Sequence, residues 1–500
     1  MRGAGEAPEP KTSHSAPAPG GVGRLALNTL APLAARLVDA AFALVYLRLL
    51  GQAGTGAYQF LVVFTTYLDT LVDFGLNALV AREVARAPTT AGGFLRVVSL
   101  GRFGLWLLGL LPVLVVYGPG RDTAGLTPEA ALAGWLFYLA LLPTVLAKTA
   151  TGLLWGFERL ELPAAVSILA TLLKTALGTL GLLGGLGLVG LAASSGVANV
   201  VTAACLMLLF VRIAPPWRPS TALGPKPLGV LREAWPLFVN QLLQGLFFKV
   251  DALLLPGLAG AAAAGSYAAA YKVSEGEGII SSSFTLALFP RLSRESDLSR
   301  AYRLALRVLL QLAFPIAAGT ALLAEPLVAI VGGREYLPDA AVALAILIWY
   351  LPLSFTNGLT QYVLIAVGRQ RFLTVAFLTA LAFNVAANLA LIPRYGFVGA
   401  AGVTVASEVV LLLPFRWAAE RAAPGISILR EAQASLLATV LMAPVVWWLR
   451  DALHPIAGVL AGGLVYPVAL WALGGVDADE WSAVKRLLAV RARRPRPAAY

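Results

Sequence analysis

Long apolar runs, each separated from the next by a short polar or glycine-rich stretch, fill the chain from residue 24 to residue 473. Fourteen can be delimited: 24–49, 58–81, 94–117, 131–153, 162–184, 187–211, 234–257, 266–289, 304–330, 340–366, 371–392, 396–417, 432–449 and 455–473. Each is long enough to cross the ~30 Å hydrocarbon layer as a helix of about 20 residues. Backbone polar groups in lipid must be satisfied within the segment, so the runs predict helices rather than strands. Pro32, Pro112, Pro143, Pro315 and Pro352 fall inside the runs and predict kinks.

The pattern predicts an all-α polytopic membrane protein, and composition sharpens this by exclusion. Of the 500 residues, 59% are hydrophobic and only 13% charged, against roughly 45–50% and 25% in soluble domains. A soluble enzyme, a coiled coil and a disordered scaffold are excluded. One cysteine, Cys205, rules out a disulfide framework, and the distant His14 and His454 offer no metal pair. No metal and no cofactor is expected. The net charge of +12 fits the Lys/Arg excess of cytoplasmic loops better than nucleic-acid binding.

With the N terminus inside, Arg48, Arg121, Arg334, Arg394 and Arg450 fall on the outer side. Arg36, Lys148, Lys174, Lys249 and Lys272 fall within spans, and every other Lys and Arg is cytoplasmic, the cluster Arg82/Arg86/Arg96/Arg102 among them. Residues 1–20 read as a disordered cytoplasmic tail. The Pro-rich stretch 213–229 reads as a cytoplasmic linker between an N-terminal lobe, 21–212, and a C-terminal lobe, 230–421. The two lobes repeat at an offset of 209: Gly51 with Gly260, Tyr58 with Tyr267, Arg82 with Arg291, Pro143 with Pro352, Gly187 and Gly190 with Gly396 and Gly399, Asn199 with Glu408, Arg212 with Arg421. Six spans per repeat give both lobes the same orientation, which implies a pseudo-two-fold axis along the membrane normal. The final two spans, within 422–474, stand outside the repeat. The tail 475–500 predicts a basic amphipathic helix with Trp481, Val484 and Leu488 on one stripe.

Enzyme motifs are missing. There is no Walker loop, and Gly185-Leu-Gly187-Leu-Val-Gly190 sits in a tight turn between spans without a βαβ context. The informative residues are charges inside spans: the five basic ones with Asp39, Asp69, Asp73, Asp251, Glu275, Glu277 and Glu408. At roughly 2.5–3.5 kcal/mol per central charge, twelve facing lipid would cost on the order of 30–40 kcal/mol. They must instead face one another or a hydrated interior.

Arg36 and Asp39, three residues apart, share a face, as do Lys272 and Glu275. Lys249 and Asp251, two apart, point to different sides. Lys174 has no acidic neighbour on its own helix. Lys148 lies nearer the cytoplasmic end. Asp69 and Asp73, four apart, disfavour each other unless a proton, a cation or a lysine from another helix intervenes, so they are candidates for ion coupling together with Asp39. Arg36, Lys174, Lys249 and Lys272 place positive charge mid-membrane in both lobes, which suits an anionic substrate such as a phosphate.

Arg48-Leu-Leu-Gly51, Gly56, Tyr58, Asp73-Phe74-Gly75-Leu76 and Arg82-Glu83, together with AGSYAAAYKVSEG (264–276) and FTLALFPRLSR (284–294), complete the picture. With these motifs the chain resembles the polysaccharide transporter branch of the multidrug/oligosaccharidyl-lipid/polysaccharide exporter superfamily. The resemblance implies two six-helix lobes around a central cavity, with two further helices. It implies a transporter, not an enzyme, that flips a polyprenyl-diphosphate-linked glycan across the cytoplasmic membrane by alternating access. The diphosphate would be held by Arg36, Lys174, Lys249 and Lys272. Lipid II flippases share the fold and are the near rival; a cation or drug antiporter is a second. Membrane lipids and a coupling H+ or Na+ are the remaining expected partners, and the chain is expected to act as a monomer.

Overall fold

The computed structural model describes residues 21–118, 126–213, 226–275 and 298–475 apart from 422 and 453, with side chains from residue 34 onward except at 227, 370, 451 and 452. The expectations for the N-terminal tail, most of the linker, Glu277, Arg291, the 284–294 motif and the C-terminal helix lie outside these residues. Among the described residues the chain is helix joined by turns, with no strand.

In order the helices are α1 (Gly21–Asp73), α2 (Leu76–Arg86), α3 (Ala91–Leu108), α4 (Leu110–Tyr117), α5 (Pro128–Leu139), α6 (Leu142–Gly156), α7 (Glu161–Leu183), α8 (Gly187–Ile213) and α9 (Pro227–Ala259). Then come α10, over 261–275, α11 (Leu298–Leu322), α12 (Ala324–Val331), α13 (Asp339–Leu347), α14 (Tyr350–Ala366), α15 (Gln370–Glu420), α16 (Ile428–Ala452) and α17 (Pro455–Ala472). Among the described residues, ten helices are long and apolar enough to cross a membrane. One of these, Arg371–Glu420, carries two of the apolar runs. Many apolar side chains face outward, as lipid contact requires: Leu464 is 72% and Trp471 74% exposed.

The prolines behave unequally. Pro143 and Pro352, a repeat pair, stand at the starts of α6 and α14, just after breaks that divide their apolar runs. Pro112 likewise follows the break between α3 and α4. Pro315 lies within α11 and Pro32 within α1, neither helix being broken there. Glycine makes the sharper bends. Gly51 and Gly396 turn the chain inside α1 and α15 with φ of 65° and 57°. Their repeat partners Gly260 and Gly187 also have positive φ, at 89° and 49°. A conformation that side-chain-bearing residues rarely adopt thus recurs at equivalent points of the two repeats.

α5, α7 and α8 pack around α1 and one another, while α11, α13 and α14 gather with α9 and α15, and α16 pairs with α17. The two sets meet along α1 and α9 and are hydrogen-bonded to each other at the Gly51 bend. Arg48 donates to the Ile330 carbonyl at 2.6 Å and Gln52 to that of Glu335 at 2.5 Å. The Tyr336 hydroxyl meets Thr55 at 2.8 Å and donates to the Leu47 carbonyl at 2.9 Å. Just beyond the bend, α1 crosses α10 with backbones nearly touching. A Cβ on Gly56 would collide with the Ala261 carbonyl, and one on Gly265 with that of Gln52. Residues 52 and 56 are repeat partners of 261 and 265, so the crossing is reciprocal and lies on the pseudo-two-fold axis.

Candidate substrate site

Below this crossing, α1, α9 and α10 bring charges of alternating sign together. Lys272 on α10 bonds Asp39 on α1 at 2.5 Å and Glu275 on its own helix at 3.2 Å. The other oxygen of Glu275 takes Lys249 of α9 at 2.8 Å. Lys249 also stands 5.6 Å from the Tyr271 ring centre, within cation–π range. The chain Asp39–Lys272–Glu275–Lys249 is neither dry nor fully wet. The four side chains are 54%, 18%, 34% and 37% exposed, in that order. Such a setting gives charged contacts more strength than bulk water does while leaving them reachable.

The remaining expected cations fall nearby or on the same helix. Lys174 on α7 is half-buried, has no ion pair among the described residues, and feels the charges of Asp39 and Lys272. Arg36 is exposed one turn before Asp39 on α1. Asp251 makes no ion pair with Lys249 among the described residues, although both line one small space with Tyr267 and Tyr271. Asp251 is buried and accepts from the Tyr267 hydroxyl, from Thr404 at 3.0 Å and from the Ala252 amide at 2.8 Å. Glu408, also buried, takes Asn357 at 2.7 Å.

The second group of acids is structural in its contacts. Asp69 accepts from Lys148 at 2.9 Å, and Asp73 from Arg102 at 3.2 Å. A lysine from another helix therefore separates the Asp69/Asp73 pair, and it is Lys148. Arg102 corrects the sequence reading, which placed it in a cytoplasmic cluster. It sits inside α3, fully buried, and also bonds Asn77 and Thr149, each at 3.0 Å. Its reach ties α1, α2, α3 and α6 together. Asp73 then leads into Phe74 and Gly75, whose positive φ turns the chain into α2 and stacks Phe74 on Phe238 of α9 with ring centres 4.4 Å apart. The Asp-Phe-Gly motif is thus a corner. Arg102→Ala would leave the buried Asp73 carboxylate to Lys148 alone, at 3.8 Å, a loss near the lower end of the ~3–5 kcal/mol that breaking a buried pair costs. We expect a clearly lowered melting temperature in detergent and reduced membrane yield.

A cavity of about 670 Å³ opens among α1, α5, α6, α7 and α8. Its wall is largely apolar, from Val62, Phe137, Leu141, Leu160 and Leu206 among others, and is set with hydroxyl, amide and charged groups: Asp69 from α1, Thr144, Lys148 and Thr151 from α6, Lys174 from α7, and Ser195, Asn199 and Thr202 from α8. Trp155 also lines it, 39% exposed. The charges of this wall stand out in the sequence; its hydroxyls do not. The signal was available, since Thr144, Lys148, Thr151 and Trp155 recur every three or four residues, as one helix face must.

A family model for polysaccharide biosynthesis proteins matches residues 25–296, and a second model, MatE, matches 236–390. No curated protein matches the chain. Among solved structures, the lipid II flippase MurJ in an inward closed conformation superposes with a TM-score of 0.72 at 16% identity. That match covers 89% of this chain and 97% of MurJ. An inward-facing multidrug resistance MATE family transporter of the MOP superfamily gives 0.59 at 17% identity, covering 80% of this chain and 98% of its own. A MOP superfamily transporter from Pyrococcus furiosus, described with a binding pocket of reverse polarity, gives 0.50 at 15% identity over 80% and 95%. At these identities the likeness is one of fold.

Proposed function

Because the chain belongs to the polysaccharide biosynthesis protein family, we propose that it is a flippase carrying a polyprenyl-diphosphate-linked glycan across the cytoplasmic membrane. The observation that supports this most is the partly exposed chain Asp39–Lys272–Glu275–Lys249 with Lys174 beside it. Two of these lysines are held by carboxylates, and a diphosphate is a better counter-ion than either carboxylate for two lysines at once. Substrate entering the site would displace Asp39 and Glu275 as partners of Lys272 and Lys249. Arg36 would add charge one turn away.

In this reading the lobes 21–212 and 230–421 rock about the linker 213–229, alternately exposing the site to each leaflet. Both termini are cytoplasmic, the polyprenyl tail stays in lipid beside the helices of 422–474, and the protein works as a monomer. Without an ATP-binding loop, the drive is an ion gradient or the membrane potential. Asp39 is the coupling carboxylate best placed, since a proton or Na+ taken there would free Lys272 for the diphosphate. Asp69 and Asp73 are second choices, because Lys148 and Arg102 already neutralise them.

The test is depletion of the protein in its host. The expected result is accumulation of a lipid-linked glycan whose sugars remain accessible from the cytoplasmic side only. Accumulated lipid II instead would move the substrate to the peptidoglycan precursor. Normal surface glycan together with proton-coupled dye efflux that Asp39→Asn abolishes would replace the flippase by a cation antiporter.

A further inference from the structure

We infer that the cavity among α1, α5, α6, α7 and α8 is a saccharide subsite, receiving the sugars nearest the diphosphate while Lys249 and Lys272, with Lys174, hold the diphosphate itself. The inference rests on the flippase reading and adds to it where the glycan goes. Its first support is size: about 670 Å³ lies within the range of small-ligand sites, and the space is open rather than sealed.

The second support is the hydrogen-bonding character of the wall. Thr144, Thr151 and Thr202 each spend their hydroxyl proton on a carbonyl of their own helix or the turn before it, at 2.6, 2.9 and 2.7 Å. Their oxygen lone pairs stay available to accept. Asn199 spends its amide on the Ala140 carbonyl at 2.8 Å, leaving its side-chain oxygen. Asp69 gives Oδ2 to Lys148 and keeps Oδ1. The wall therefore offers hydroxyl, amide and carboxylate acceptors beside the ammonium donor of Lys174. A molecule rich in hydroxyl donors satisfies them; an apolar or a cationic drug does not, and the two lysines against one aspartate in this wall oppose a cation outright.

The third support is Trp155, an exposed indole among these groups, whose flat apolar face suits the C–H face of a pyranose ring. The fourth is continuity. Lys174 lines this cavity and also lies within electrostatic reach of Asp39 and Lys272, so one lysine borders both the anion site and the acceptors of the wall. A groove formed by Leu100, Phe103, Leu142, Leu146 and their neighbours on α3, α6 and α8 is almost wholly apolar by contrast. The polar groups of the larger cavity are absent from this groove.

The experiment uses the full chain in proteoliposomes with two probes: a polyprenyl diphosphate bearing a tetrasaccharide, and the same polyprenyl diphosphate without sugar. Trp155→Ala and Asn199→Ala should each slow translocation of the glycan-bearing probe about fivefold to tenfold, the worth of one good contact, and leave the bare diphosphate lipid unaffected. Trp155→Phe should restore most of the loss. Equal losses on both probes, or none on either, would overturn the subsite while leaving the flippase reading standing. A wild-type protein that translocates neither probe would remove the flippase reading and the subsite with it.

Discussion

Lys249→Ala combined with Lys272→Ala should abolish translocation of a lipid-linked diphosphate while the protein still reaches the membrane in normal amount. The reason lies in the partners of each lysine. Lys272 is shared between Asp39 and Glu275, and Glu275 between Lys272 and Lys249. Each lysine that meets a phosphate oxygen contributes a charge-assisted bond worth about 1.5–3 kcal/mol, so a single substitution should cost about tenfold to a hundredfold. Removing both leaves Asp39 and Glu275 without their lysines, so the positive charge of Lys174 and Arg36 is taken up by carboxylates and the attraction for the substrate is lost. Lys272→Arg, which keeps the charge, should retain much of the activity. Asp39→Asn separates the two roles of the network: Lys272 remains to bind the anion, but the carboxylate that reclaims it is gone. That variant should bind substrate at least as well as wild type and turn it over more slowly. Translocation in proteoliposomes, with binding of the same probe measured in detergent, reads both quantities. Full translocation by the double alanine variant would sink the anion site.

What the sequence carried and what it withheld follow from the range of the forces involved. Helices could be read from apolar length because lipid imposes backbone satisfaction on each segment separately. The family resemblance was equally readable, and the matching family model and superfamily fold bear it out. The bends at Gly51 and Gly396 and the corner at Phe74-Gly75 were visible as motif positions, though their conformations were not. Partnerships between helices were another matter. Lys249 looked unneutralised because its partner, Glu275, stands on a different helix. Which lysine would come between Asp69 and Asp73 was open from the sequence; Lys148 on α6 does so, not Lys174. Arg102 looked cytoplasmic because it follows three other arginines in sequence; its side chain instead runs into the bundle toward Asp73, Asn77 and Thr149. In each case the deciding contact crosses between segments whose relative rotation the local pattern does not encode. The hydroxyl-lined cavity escaped for a different reason. Threonines in apolar helices usually satisfy themselves on the preceding turn, as Thr144 and Thr151 do, and this self-satisfaction conceals the acceptor lone pairs they still present.

Gly56→Leu should drive the protein toward a state open on the side where α1 bends, and with it cut translocation at least about tenfold. Gly56 and Gly265 permit the backbones of α1 and α10 to meet at Ala261 and Gln52. No rotamer relieves a clash between a Cβ and a backbone carbonyl, so even alanine must push the helices apart. Overpacking of this kind costs about 1–3 kcal/mol, and here the cost falls only on the conformation in which the contact exists. The bonds around it, from Arg48, Gln52 and Thr55 to the segment 330–336, must loosen together. Thr55, 1% exposed beside Tyr336, then becomes a reporter position. In a Thr55→Cys background a membrane-impermeant maleimide applied from that side should react slowly, and adding Gly56→Leu should speed the reaction by about tenfold or more. Gly265→Leu should do the same through the reciprocal contact. Because both substitutions break one crossing, the double variant should exceed either single one by little, a non-additivity that independent packing defects would not show. If the thiol introduced by Thr55→Cys stayed unreactive when Gly56→Leu was added, and translocation were undiminished, the crossing would not open during transport.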